Sequence, residues 1–165
     1  MRYAGILKND IAAAPGICVT FFAQGCPHHC PGCHNPETWS FSEGRRFTPN
    51  TINEILEALV ANGVNRNFCI MGGEPLCPEN ELMTQLLITE VRKALPQIKI
   101  YVWTGYKIEE LIREDNSFVK DILYNIDFLI DGPYIEELKD TTLPMRGSSN
   151  QRIINIKEFD FSKKI

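Results

Sequence analysis

Three thiols fall within one short stretch, Cys26-Pro27-His28-His29-Cys30-Pro31-Gly32-Cys33, at the spacing C-x3-C-x2-C and directly after an apolar run. Thiolates hold iron–sulfur clusters, and a cubane cluster with three cysteine ligands keeps one iron open to an outside nitrogen and oxygen. Pro27, Pro31 and Gly32 help a short loop wrap around so bulky an object. Zinc is the competing reading, because a structural zinc takes four closed ligands and His28, His29 or His34 could complete such a set. Ordinary core packing of the thiols is a third. The other cysteines, Cys18, Cys69 and Cys77, read as small buried apolar residues.

A second stretch with chemical potential is Gly72-Gly73-Glu74-Pro75. Its glycines expose backbone polar groups to a close ligand, and Glu74 offers an acceptor for an ammonium group. The plainer reading is a tight strand-to-helix turn with an exposed glutamate. Phosphate binding is poorly supported, since neither G-x-G-x-x-G nor a P-loop lysine is present. His28, His29 and His34 are expected to pack the loop or face solvent, and Trp39, Trp103 and Tyr106 to belong to the core.

Six cysteines in a secreted chain would suggest three disulfides. The residues Met1-Arg2-Tyr3-Ala4-Gly5 lack a signal peptide's apolar stretch, so the expected compartment is the cytoplasm, where thiols serve metal ligation or catalysis. A formal net charge of -4 and a pI of 5.4 argue against a nucleic-acid partner, which is held by a basic surface. Arg45-Arg46 and Lys163-Lys164 read as solvated pairs. No window approaches the ~18 to 20 apolar residues of a membrane span, so no membrane partner is expected.

These groups need a scaffold. Tyr3 to Leu7, Ile17 to Phe22, Phe68 to Met71, Ile98 to Trp103, Ile126 to Ile130 and Arg152 to Ile156 read as strands. Between them, Thr48-Pro49 caps a helix that stops near Gly63, Pro78 opens another that Pro96 ends, and shorter helices are expected around Ile108 to Ile112 and Phe118 to Leu123. Such alternation implies βαβ crossovers and a parallel sheet covered by helices. At 165 residues the chain is expected to be a single domain, 1–165, too short for a closed barrel of ~250 residues. The expectation is an α/β fold, an open partial barrel of five to six mainly parallel strands. The loops Cys26 to Cys33, Gly72 to Pro75, Thr104 to Tyr106 and Asp131 to Tyr134 should then meet at its C-terminal rim.

C-x3-C-x2-C with a downstream Gly-Gly-Glu-Pro resembles the radical S-adenosylmethionine superfamily. Gly25-Cys26 with His28, Asn35, Thr38-Trp39, Leu76, Val102-Trp103-Thr104-Gly105-Tyr106-Lys107, Asp131-Gly132 and Arg146-Gly147-Ser148-Ser149-Asn150-Gln151 extend the likeness to the glycyl-radical-enzyme activases that serve anaerobic ribonucleoside-triphosphate reductase. The resemblance implies a radical SAM type fold and a [4Fe-4S] cluster on Cys26, Cys30 and Cys33. Its open iron would chelate S-adenosylmethionine, with Gly72, Gly73, Glu74, Pro75, Thr104 and Asp131 as the cofactor contacts. It implies reductive cleavage of that cofactor and removal of hydrogen from a backbone glycine of the large reductase subunit. A low-potential electron donor is the other implied partner. Gly32 stands where many superfamily members place an aromatic against the adenine, Ala14 where relatives have glycine, and Pro133 where some have lysine. Arg146 to Gln151 reads equally as a docking strip for the reductase or a capped loop. The alternatives are a small radical enzyme acting on a free metabolite and a zinc-stabilised interaction module.

Overall fold

Successive side chains of a strand point to opposite faces, so a sheet strand that is apolar throughout must be covered on both sides. The computed structural model describes residues 1–161 and builds one open sheet from seven strands. These are β1 (Arg2–Asp10), β2 (Cys18–Ala23), β3 (Arg45–Arg46), β4 (Asn67–Gly72), β5 (Ile100–Trp103), β6 (Phe128–Asp131) and β7 (Arg152–Asn155). Their order is β3-β1-β2-β4-β5-β6-β7. The helices are α1 (Pro49–Val60), α2 (Glu81–Ala94), α3 (Ile108–Arg113) and α4 (Ser117–Asn125).

The pairs β2–β4, β4–β5 and β5–β6 are parallel, and in each case an α-helix lies between the partners in sequence. Where no α-helix intervenes, as from β1 to β2 and from β6 to β7, the pairing is antiparallel. The expected five to six mainly parallel strands are thus seven, four of them forming a parallel centre flanked by antiparallel edges. The sheet does not close. The unexpected strand is β3: Arg45 and Arg46 are exposed, as a solvated pair should be, yet they pair with Tyr3 and Arg2. Two polar residues carry no period, and their pairing follows from the chain returning to β1, where Phe47 N donates to Met1 O at 3.2 Å. The second solvated pair, Lys163-Lys164, lies outside the described residues.

Thr48 precedes α1 and Pro49 takes its first position, as the spacing predicts. Helix α2 starts later than Pro78, which lies in a turn; Glu81 is its first residue, with its N–H donating to Cys77 O at 2.9 Å. Val19, Phe21, Phe68, Ile70, Ile100, Val102 and Leu129 pack with Ile55, Leu59, Leu87, Val91 and Ile122 of the helices. Cys18, Cys69, Tyr101 and Ile130 form a second buried group on alternate strand positions, joined by Met71, Trp103 and Met145. Cys18, Cys69 and Cys77 are fully buried, as expected of small apolar residues. Each large side chain so buried contributes roughly 1.5–3 kcal/mol relative to exposure.

Asp127 ties three elements together. It accepts from Ile100 N at 2.9 Å and from Lys157 Nζ at 2.9 Å, and pairs with Arg92 at the end of α2. Burial pushes its carboxyl up, but the bonds from Lys157, Arg92 and Ile100 outweigh this and leave it below the usual carboxylate range. A folded-state value below the unfolded one adds stability that is fully present above the unfolded pKa and is lost as pH falls through the folded one. Asp127→Asn should therefore lose about 2–3 kcal/mol at pH 7 by urea unfolding. The gap from the parent should narrow below about pH 4, the ordinary aspartate range.

Candidate active site

The C-terminal ends of the parallel strands carry the four expected loops, and these surround a cavity of ≈ 470 Å³. Cys26, Cys30 and Cys33 all line it, each half-buried and unpaired. The turn between the last two is closed by Cys33 N donating to Cys30 O at 3.1 Å, with Gly32 at φ +71. Burial pushes the Cys26 thiol up to about 11, against hydrogen bonds from the backbone of His28 and His29. Cys30 is likewise raised by burial and opposed by a hydrogen bond from the Tyr134 backbone. Asn35 N donates to Cys33 Sγ at 3.4 Å. Backbone N–H groups thus oppose the effect of burial at Cys26 and Cys30 and bond Cys33, donors that suit sulfur once a metal has taken the proton's place.

The Gly72 to Pro75 turn lies directly against the chain entering Cys26. Gly73 N donates to Ala23 O at 2.9 Å and Glu74 N to Gly25 O at 2.8 Å. A Cβ on Gly73 would meet Gly25 O at 2.3 Å, so only glycine permits this approach. Asn80 Nδ2 locks the arrangement by donating to Gln24 O, Gly25 O and Glu74 O at 3.0, 3.2 and 3.0 Å. Glu74 is not the exposed acceptor of the plainer reading: it is 1% exposed. Its Oε1 accepts from Leu76 N at 2.9 Å and Thr104 Oγ1 at 2.8 Å. Gly105 N lies 2.7 Å and His28 Nε2 2.9 Å from Oε2. His28 thus joins the cysteine loop to the glutamate, and Tyr106 packs edge-on against its ring at 4.5 Å. Burial, then Glu74, pushes the Tyr106 hydroxyl up to about 12.

His28 is engaged with Glu74, and His29 rests on Trp39 with ring centroids 4.9 Å apart. Among the described residues no three His, Cys, Asp or Glu side chains are placed to hold one metal ion. The cysteines of a cubane bind separate irons, and three thiols line one cavity here. The donor set fits the cluster. A comparison with protein families agrees: residues 12–154 match the model described as a 4Fe-4S single cluster domain. The anaerobic ribonucleoside-triphosphate reductase-activating proteins of Salmonella typhimurium and Escherichia coli K12 are each 36% identical over 158 residues, covering 95% of this chain and 100% of theirs. That of Enterobacteria phage T4 is 35% identical over 153 residues, covering 93% of each. The chain belongs to the anaerobic ribonucleoside-triphosphate reductase-activating protein family.

Against the cofactor contacts expected for an activating protein, the placements divide. Gly72, Gly73, Glu74 and Thr104 line the cavity with the cysteines. Pro75 is buried behind them, its carbonyl accepting from Thr84 Oγ1 at 2.8 Å. Asp131 is fully buried and does not line the cavity. Its oxygens take Ile108 N at 2.8 Å and Arg152 Nε and Nη2 at 2.9 and 2.5 Å, while Arg152 also reaches Glu109. Gly132, its neighbour, and Tyr134 are the residues of that loop on the wall. Trp39 and Trp103, expected in the core, are wall residues too.

Asn80 escaped the sequence reading. Its position before the α2 pattern marks a capping residue, but its side chain is spent on the Gly25 and Glu74 carbonyls instead. No sequence signal marks the His28–Glu74 bond, which spans 46 positions. The Arg146 to Gln151 segment is a capped loop: Gln151 Oε1 accepts from Gly147 N and Ser148 N at 2.9 and 3.2 Å, and Arg146 Nη1 donates to Gln151 O at 3.2 Å. For the described residues, no helix is long and apolar enough to cross a membrane.

Proposed function

We propose that this chain activates the large subunit of an anaerobic ribonucleoside-triphosphate reductase by radical S-adenosylmethionine chemistry. The observation that carries this reading is the junction of three cysteines and the Gly-Gly-Glu-Pro turn on one cavity, with Glu74 N on Gly25 O at 2.8 Å. When bound, a [4Fe-4S] cluster with S-adenosylmethionine would supply one-electron cleavage of the sulfonium, giving methionine and a 5′-deoxyadenosyl radical that takes hydrogen from a backbone glycine of the reductase.

The chain's own residues supply ligands, orientation and dryness. Cys26, Cys30 and Cys33 hold the cluster. Gly72 and Gly73 let the methionyl group approach the backbone, and Glu74, fixed behind them by Leu76, Thr104, Gly105 and His28, sets a carboxylate beneath the place of its ammonium. Trp39 Nε1 and Arg146 Nε are buried donors on wall residues without a partner among the described residues. Unmatched buried donors are costly and fit an acceptor-rich guest, so they suit the adenosyl group. Met71, Trp103 and Met145 give the apolar wall that Gly32 does not, excluding water from a reactive intermediate. Asp131 acts at one remove, by fixing Ile108 and Arg152 around Gly132. The open sheet is compatible with a radical SAM partial barrel. Six free thiols suit a reducing cytoplasm.

The test mixes protein, S-adenosylmethionine, a strong reductant and the reductase without oxygen and reads the glycyl radical by electron paramagnetic resonance. A glycyl signal supports the proposal. Failure of the anaerobically reconstituted protein to bind a four-iron cluster, or to cleave the cofactor, ends it. Cleavage without a glycyl signal transfers the function to a free metabolite.

A further inference from the structure

The loop after β6 reaches back onto the cysteine loop. A Cβ built on Gly32 would lie 1.8 Å from Oε2 and 2.5 Å from Cδ of Glu136, so this carboxylate packs directly against the Cys30–Cys33 turn. Tyr134 donates its hydroxyl to Glu136 Oε2 at 2.5 Å, and its backbone N–H faces Cys30. Lys139 Nζ is 3.7 Å from Oε1, a loose pairing that leaves most of the charge in place. The position is imposed from the Arg146 to Gln151 segment. Ser148 Oγ accepts from Ile135 N at 3.2 Å, Asn150 Nδ2 donates to Pro133 O at 2.7 Å, and Gln151 Nε2 donates to Gly132 O at 3.1 Å. Three polar side chains of that segment thus fix the backbone that carries Tyr134 and Glu136.

Resting on the cluster reading above, we propose that Glu136 is a potential-setting residue, whose charge beside Gly32 keeps the cluster a strong reductant. Reduction adds one electron, from the low-potential donor, to a group already rich in negative charge. A carboxylate beside the ligand turn opposes that arrival and lowers the potential, as do fewer counter-charges around any iron–sulfur centre. The side chain is 44% exposed, so solvent screens part of the effect and the comparison below is made against a matched charge.

The experiment is a redox titration of the reconstituted holoprotein, followed by electron paramagnetic resonance of the reduced cluster. Glu136→Gln should shift the midpoint to a more positive potential, by more than Glu137→Gln, which removes the same charge from the adjacent residue. With excess reductant, so that the cluster is fully reduced, cofactor cleavage by Glu136→Gln should slow while its affinity for S-adenosylmethionine stays at the parent value. An unchanged midpoint, or equal shifts in the two variants, overturns the proposal. So does a Glu136→Gln protein that only melts earlier or holds less iron, which is the signature of a strut. A parent protein that binds no four-iron cluster defeats the underlying reading as well, and is recognised by iron and sulfide analysis before any titration.

Discussion

Cys30→Ala will leave the protein unable to generate a glycyl radical. Loss of one of three thiolates removes a covalent anchor from one iron, and two of the three nearby imidazoles are engaged elsewhere: His28 is held by Glu74, and His29 lies on Trp39. Outer-shell partners of metal ligands alone cost 10–100-fold, so loss of a ligand should lower activity by at least about 10³-fold. Iron and sulfide per chain should fall in parallel after anaerobic reconstitution. The chain should still fold, since Cys30 is half-buried on the cavity wall rather than in the core. Cys18→Ala and Cys69→Ala are the contrast: both thiols are buried within the sheet, away from the cavity lining, and these variants should keep the cluster at a modest loss of stability. A Cys30→Ala protein with a full glycyl signal would transfer the ligand role elsewhere and remove the basis of the proposed chemistry.

The sequence made the cysteine loop legible because its chemistry is local: spacing, prolines and Gly32 sit within eight residues. The parallel centre was legible for a related reason, since a helical period between two strand-like runs dictates a crossover. What stayed hidden depends on distant backbone. The β3 pairing of Arg45 and Arg46 has no period to read. Asn80 carried a capping signal, but two of the three carbonyls it serves lie 55 and 56 positions away. Asp131 shows the limit of carrying a role over by motif. It stands at the right strand end, yet Arg152 on the antiparallel neighbour β7 and Ile108 at the start of α3 occupy its carboxylate. Only the direction of β7, set by the connection that precedes it, brings Arg152 there.

Glu74→Gln tests the junction from its other side. A carboxylate offers about four acceptor sites, and all are used: Leu76 N and Thr104 Oγ1 on one oxygen, Gly105 N and His28 Nε2 on the other. An amide can keep only one of the two oxygens. Thr104 and His28 can each turn an acceptor toward the new NH2 group, the histidine by changing tautomer. Leu76 N and Gly105 N cannot. Whichever way the amide is placed, one buried backbone N–H faces another donor. With the lost charge-assisted bonds, this should cost about 2–4 kcal/mol of stability in urea unfolding of the cluster-free protein. Binding should suffer separately, because the negative charge behind the Gly72-Gly73 turn that attracts the ammonium is lost, a fall of about 10-fold, or roughly 1.4 kcal/mol, in affinity for S-adenosylmethionine. The two readouts divide the roles. Lower stability with unchanged affinity would make Glu74 a strut between the Cys26 loop and the Thr104-Gly105 turn. Unchanged stability would contradict the network itself. Losses in both are expected, because the bonds that fix the Glu74 carboxylate at the cavity wall are the same bonds that hold the loops carrying the cysteines and Thr104 to one another.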